Sequence, residues 1–354
     1  MQALKNCINL NHGGNVLNAA ANLNCSYADI LDFSNNLNPL GIDKRLLKML
    51  KIELDRISVL PEIDCKAIRK KISGFYNTYF NNVLIAGGSS VFIYKLNEII
   101  PFKSKILLLL PNYSDYYHIL KNYPNLNSIN YFHSKKCYAK FLRIIPDYKF
   151  IVLSNPNNPI GYYIENLDEI IKKFSDTIFI IDESYIDFVD NKEKKVVKKN
   201  YKNAIIIKSL TKTLAAPGLR IGIVRSSKDI IFQFQKNMPP WPINSLVETA
   251  VDFYFLYADN YLSKIHKLIT EEKKLLFEKL SDKFECLNSD VNFFLLKIKN
   301  KKINATQICN ELLKEKILLR NCSNINGLNN RYLRVAVKKK EENKILINKL
   351  LEIV

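Results

Sequence analysis

The sequence predicts an α/β protein with two parts: a large domain built on a mostly parallel sheet covered by helices, and a smaller α/β domain after it. Three observations predict this. Short apolar runs rich in Ile, Val and Leu recur between residues 83 and 225. Each is separated from the next by enough chain for a helix or a long connection, as strands buried on both faces require. After Trp241 the pattern changes to helix-like segments followed by new strand-like ones.

Taken in order, the first 40 residues are rich in turn-forming pieces, "NHGGN" and "SNNLNPLG", and are expected to pack on the small domain or across the mouth of a site. The strands expected next are "NVLIA", "KILLLLP", "KFIVLS", "TIFIID", "NAIIIKS" and "RIGIV". Helix-like segments follow around 245–282, then "NFFLLKI", a helical "ATQICNELLKEK", and "RYLRVAV". The expected division is 1–45 as an amino-terminal segment, 46–245 as the large domain and 246–354 as the small one.

Composition narrows the function classes. The chain has 354 residues, 47% of them hydrophobic, enough for a large core. There is no run of 18 apolar residues and no basic-then-apolar start, so neither a membrane span nor a signal peptide is expected, and the expected location is the cytoplasm. Seven scattered cysteines without a C-x-x-C argue against a disulfide framework or a zinc site, and no metal is expected.

The net charge of +19 raises nucleic-acid binding as an alternative. Against it, the lysines are spread along the whole chain. The basic stretches "NKEKKVVKKN" and "IKNKKIN" look like solvated loops without interleaved aromatics, so neither nucleic acid nor membrane is expected as a partner. Arginine is different: of nine, five fall in two windows, Arg220 with Arg225, and Arg320 with Arg331 and Arg334. Arginine suits two-pronged capture of carboxylate and phosphate, so this clustering is informative.

Ligands of such sheets gather at the carboxyl ends of the strands. There this sequence places "AGGSS", "PNYSDY", "NPNNPIG", "DESY" and "SLTK" after successive strands. Singly these have ordinary readings: a turn, an Asn-Pro loop, a helix cap, a strand terminator. Together they suit pyridoxal phosphate. Lys212 would join its aldehyde, while Gly88, Ser89, Ser209 and Arg220 would hold its phosphate. Asp182 would keep the ring nitrogen protonated, a pairing of about 4 kcal/mol at ~4 Å and an effective dielectric of ~20. Asn158 and Tyr185 would meet the ring hydroxyl, and Tyr113 the ring face.

The stretches "SNPNNPIG", "IDESYIDF" and "SLTKTLAAPGLRIG" resemble the fold-type I pyridoxal-phosphate enzymes, in particular the class I/II aminotransferase group. "HGGNVLNAA" with "ILDFSNNLNPLG", and "LLRNCSNINGL" with "RYLRVAV", are similar to the threonine-phosphate decarboxylases, relatives of the histidinol-phosphate aminotransferases. The resemblance implies the fold-type I transferase fold, a homodimer, and decarboxylation of an O-phospho-amino acid for the cobalamin nucleotide loop. The alternative it implies is histidinol-phosphate transamination. It also implies catalytic roles for Lys212, Asp182 and Tyr185, and substrate contacts from Asn158, Arg320 and Arg334, with His12, Gly13 and Asn36 closing the site. Three stretches depart from the family pattern. Leu60 in "LPE" replaces a tyrosine that reaches the partner subunit, "AGGS" replaces Gly-Asn-Gly-Ser, and "SNNLNP" replaces Ser-Ala-Asn-Ile-Asn-Pro. Phosphothreonine and phosphoserine differ by one methyl, worth only about 1 kcal/mol or a little more in a pocket, and both stay open.

Overall fold

Alternation of side chains decides the large sheet. In a computed structural model, which describes residues 12–130, 135–190 and 201–354, Ile106, Leu108, Phe150 and Val152 join one apolar layer. Their neighbours Leu107, Leu109, Ile151 and Leu153 join the layer on the opposite face. Strands apolar at every position are therefore sandwiched between helices, as the continuous runs require.

The strands in chain order are β1 (Leu31–Asp32), β2 (Val83–Ala86), β3 (Ile106–Leu110), β4 (Leu126–Asn130), β5 (Phe150–Ser154), β6 (Ile178–Asp182), β7 (Ala204–Ser209), β8 (Gly222–Arg225), β9 (Phe284–Cys286), β10 (Phe293–Ile298), β11 (Ile317–Leu318), β12 (Arg320–Asn321) and β13 (Tyr332–Ala336). The large sheet has the order β2-β8-β7-β6-β5-β3-β4. Its β3 to β7 run parallel, and β8 is antiparallel to both β2 and β7. The carboxyl ends of β2, β3, β5, β6 and β7 therefore share one edge, and the five polar loops emerge there.

The edge strand β4, "LNSIN", is an addition to the expected set. It is paired on one side only, and its side chains are exposed or half-buried, so it needs no apolar run. The helix-like region after residue 245 is one helix, Val247–Leu280, about 50 Å long. Val247, Val251 and Ile265 pack with large-sheet residues such as Val83 and Ile223, whereas Leu276 and Leu280 join the core of the small domain. That small core lies between the antiparallel sheet β12-β13-β10-β9 and the helices Ala305–Lys314 and Lys340–Ile353.

The amino-terminal segment contributes a helix, Val16–Asn22, whose Ala19 and Ala20 pack with Ile30 and Leu318. It also contributes β1, which pairs in parallel with β11. It thus reaches the small domain and arrives at the edge of the large sheet. The stretch "IKNKKIN" includes an exposed turn between β10 and the helix Ala305–Lys314, while "NKEKKVVKKN" lies outside the described residues. Among the described residues no helix is long and apolar enough to cross a membrane.

Candidate active site

At the shared strand edge the chain forms one cavity, and every residue expected to bind cofactor or substrate lines it except Gly88 and Asn36. Both of these stand directly behind it. Gly88 has φ +106°, and a Cβ there would lie 2.6 Å from Nη2 of Arg220, so the missing side chain lets the guanidinium rest on the turn. Asn36 is buried and donates through Nδ2 to the Tyr185 hydroxyl at 3.4 Å. Its neighbour Asn35 faces the cavity and accepts from Lys212 Nζ at 3.1 Å.

The turn after β2 leads into the helix Ser89–Tyr94, and Arg220 donates to Ser90 Oγ at 3.2 Å. Arg220 follows the short turn Pro217–Leu219 with φ +54°, a left-handed backbone that non-glycine residues seldom adopt. This conformation places the guanidinium against Gly88 and beside Ser89, Ser90, Ser209 and Thr211, in a corner made of cationic and hydroxyl donors.

Asp182 ends β6 in a buried position, accepting from Tyr116 Oη at 3.1 Å and from the Ser184 amide at 2.9 Å. Burial pushes its carboxyl up, while the hydrogen bonds from Ser184 and Tyr116 and the charge of Lys212 oppose that. Tyr185, three residues further on, is buried against Phe293, and burial raises its phenol. Burial likewise raises Tyr113, whose ring lies 5.7 Å from that of His12. His12 also meets Asp115 at 3.3 Å and Ser114 Oγ at 3.5 Å. Gly13 packs on the Ser34 carbonyl so closely that any Cβ would collide with it.

The second arginine window is fixed by strand register. Arg320 of β12 and Arg334 of β13 are direct antiparallel partners, so their side chains stand on the same face. Both are buried and both line the cavity. Arg334 donates from Nη1 to Asn158 Oδ1 and from Nη2 to the Ser34 carbonyl, each at 2.6 Å. Its buried Nε has no partner among the described residues. Arg320 donates from Nη2 to Asn324 Oδ1 at 2.9 Å. The other two arginines of the windows serve the fold. Arg225 is buried against Glu183 and over the Tyr76 ring, and Arg331 donates to the carbonyls of Ile303, Ile298 and Asn300.

Lys212 stands among these cations. Burial, then Arg334 and Arg220, press its amine down to about 8, against the pull of Asp32 and Asp182. An amine in that range is nucleophilic near neutral pH. Two like charges directly opposed on neighbouring strands, a third across the cavity and a depressed lysine form a site short of anions. Those features fit pyridoxal phosphate: a phosphate corner, a buried carboxylate for a ring cation, a flat aromatic side and an amine. Arg320 and Arg334 line the same cavity.

Tyr116, Thr211 and Ser90 lie inside the loops "PNYSDY", "SLTK" and "AGGSS", but the letters assign them no role there. Tyr116 follows Tyr113 by three residues on a helix, and its link to Asp182 arises only when that helix crosses the sheet. Thr211 pairs with Ser209 at 2.7 Å, and Ser90 follows Ser89; adjacency to the motif residues was the available clue for these two.

Known proteins resemble the chain along most of its length. The adenosylcobalamin biosynthesis bifunctional protein CobDQ of Leptospira interrogans is 33% identical over 355 residues, covering 95% of this chain. The match spans only 40% of that longer protein. A putative threonine-phosphate decarboxylase of Caldanaerobacter subterraneus is 29% identical, with 89% of this chain and 88% of that one covered. The crystal structure of the histidinol-phosphate aminotransferase from Clostridium acetobutylicum has a TM-score of 0.81 at 26% identity, covering 92% of this chain and 99% of that one. The profile of the family "Aminotransferase class I and II" matches residues 28–350, and the chain belongs to that family.

Proposed function

We propose that the chain is a pyridoxal-phosphate-dependent decarboxylase of an O-phospho-L-amino acid, L-threonine O-3-phosphate or L-serine O-phosphate, yielding the amino-alcohol phosphate. The observation that carries this is the pair Arg320 and Arg334, opposed on adjacent strands and facing the cavity. Either substrate brings two anionic groups, a carboxylate and a phosphate, to two fixed cations. Histidinol phosphate brings a phosphate and no carboxylate. The two relatives named for cobalamin biosynthesis and threonine-phosphate decarboxylation support the same reading and the same pathway.

When bound, pyridoxal phosphate supplies a sink for the electron pair left as the carbon–carboxylate bond breaks and carbon dioxide departs. The chain's own residues then have these roles. Arg220, Ser89 and Ser209 hold the cofactor phosphate, and Asp182 keeps the proton on the ring nitrogen. Asn158 has its Oδ1 occupied by Arg334, so its Nδ2 and the Tyr185 hydroxyl would be the groups to meet the ring hydroxyl of a bound cofactor. Tyr113 covers one ring face. Arg320 and Arg334 anchor the substrate at two points, which fixes the orientation of the bond to be broken. The Lys212 amine delivers the proton that replaces the carboxylate on the α-carbon.

Histidinol-phosphate transamination is the second reading, supported by the structural likeness to that enzyme. Incubation with phosphothreonine, phosphoserine, or histidinol phosphate plus 2-oxoglutarate separates the two. Carbon dioxide release from a phospho-amino acid without a keto acid is expected, and strict keto-acid dependence would overturn the decarboxylase reading. We further propose a homodimer, because Ile57, Val59, Leu60 and Ile63 form an exposed apolar stretch. Sedimentation should give twice the chain mass and fall to the monomer in Leu60→Glu; a monomeric parent protein would exclude it.

A further inference from the structure

The segment Ser34 to Asn38 crosses the cavity wall, and nearly every residue in it grips a residue of the site. Ser34 O accepts from Arg334 Nη2 at 2.6 Å, and Asn36 Nδ2 donates to Tyr185 at 3.4 Å. Asn38 donates from its amide to the Lys212 carbonyl and from Nδ2 to the Thr213 carbonyl, both at 3.0 Å. The segment is itself clamped, since Asn292 Nδ2 donates to the carbonyls of Asn36 and Leu37 at 3.2 and 2.9 Å. It is a rigid mount, and the side chain it aims at Lys212 Nζ is Asn35, at 3.1 Å. Among the described residues Asn35 Oδ1 is the only acceptor within hydrogen-bond distance of that amine.

We propose that Asn35 is a positioning residue that holds the Lys212 amine whenever it is free and favours its protonated form, so that the proton is presented from the side of the 34–38 segment. This rests on the reading of Lys212 as the cofactor-bearing amine. An amide oxygen cannot ionise, but it accepts more strongly from an ammonium than from an amine. Asn35 therefore works against the groups that strip the proton from Lys212. Those are burial and the cations Arg334 from β13 and Arg220 from the turn before β8, while Asp32 from β1 and Asp182 from β6 also face the amine and act with Asn35 to keep the proton. Arg320 and Tyr185 line the same cavity. A side chain that restores protonation to an otherwise depressed lysine keeps it able to give a proton as well as take one.

The test uses cofactor-free protein and follows acetylation of Lys212 by acetic anhydride against pH, read by peptide mass spectrometry. Only the neutral amine reacts, so the midpoint reports its proton affinity. Asn35→Ala should lower the midpoint by roughly one pH unit, a tenfold loss of proton affinity, as for loss of one hydrogen bond to a charged group. Asn35→Asp, nearly isosteric, should raise it. A general disturbance of the cavity would move both variants the same way. Midpoints that stay within about 0.3 unit of the parent in both variants, or shift in one direction, would overturn the proposal. Should the alanine variant fail to fold, the similarly sized apolar Asn35→Leu takes its place: a lowered midpoint supports the proposal and an unmoved or raised one defeats it. Failure of the cofactor reading shows elsewhere, as a loaded protein whose cofactor is attached to another lysine.

Discussion

Two lysines four residues apart occupy opposite electrostatic worlds. Lys208, on β7, is buried in a closed network: its Nζ donates to Asp187 Oδ1 at 2.7 Å and to Tyr254 Oη at 2.9 Å, and Thr213 Oγ1 donates to Asp187 Oδ2 at 2.7 Å. Burial alone would depress its amine, but the Asp187 carboxylate, backed by Tyr254, outweighs it and holds the amine well above the ordinary lysine range. Lys212, in the loop after β7, has two arginines that outweigh the nearby Asp32 and Asp182 and, among the described residues, a single neutral acceptor, and its amine sits at about 8. Burial is common to both; the partner decides whether the lysine is locked or reactive. The Lys208 network also braces the loop that carries Lys212, because Thr213 leans on the same carboxylate.

The larger effect expected from this comparison is on stability at the locked site. Lys208→Met removes the buried cation that Asp187 meets at 2.7 Å and should cost about 3–5 kcal/mol in denaturant unfolding. A loss below 1 kcal/mol would mean the pair is not a structural element. The smaller effect has the opposite sign. Lys212→Met in cofactor-free protein should raise stability at pH 7 by up to about 3 kcal/mol, because it removes an amine whose charge is disfavoured in the fold. The pH dependence follows from the lowered folded value. Between about pH 8 and the ordinary lysine value of 10.5 the unfolded chain keeps a proton that the folded chain has released. Stability of the parent protein therefore rises with pH through that window, and its deficit relative to Lys212→Met closes. A deficit that widened with pH would contradict the assignment.

The same contrast explains what was legible in the sequence. Strands buried on both faces announce themselves as continuous apolar runs, and polar residues after such runs must lie at one sheet edge, so the loops carrying Lys212, Asp182 and Asn158 could be placed from the letters. Partners across the fold could not. Nothing in "IIIKSLTK" says that the first lysine meets Asp187 and the second Asn35, since both contacts join segments far apart in the chain. Arg225 and Arg331 carry the same guanidinium as Arg220 and Arg334, yet three-dimensional neighbours turn them into braces for the fold. The edge strand β4 was hidden because a strand paired on one side has no need of an apolar face on both.

Which amine carries the cofactor is tested directly by one measurement: borohydride reduction of protein loaded with pyridoxal phosphate, followed by peptide mass spectrometry. The predicted result is a pyridoxyl group on Lys212, absent from Lys212→Ala. A pyridoxyl group on Lys208 or any other lysine, with Lys212 unmodified, would contradict it.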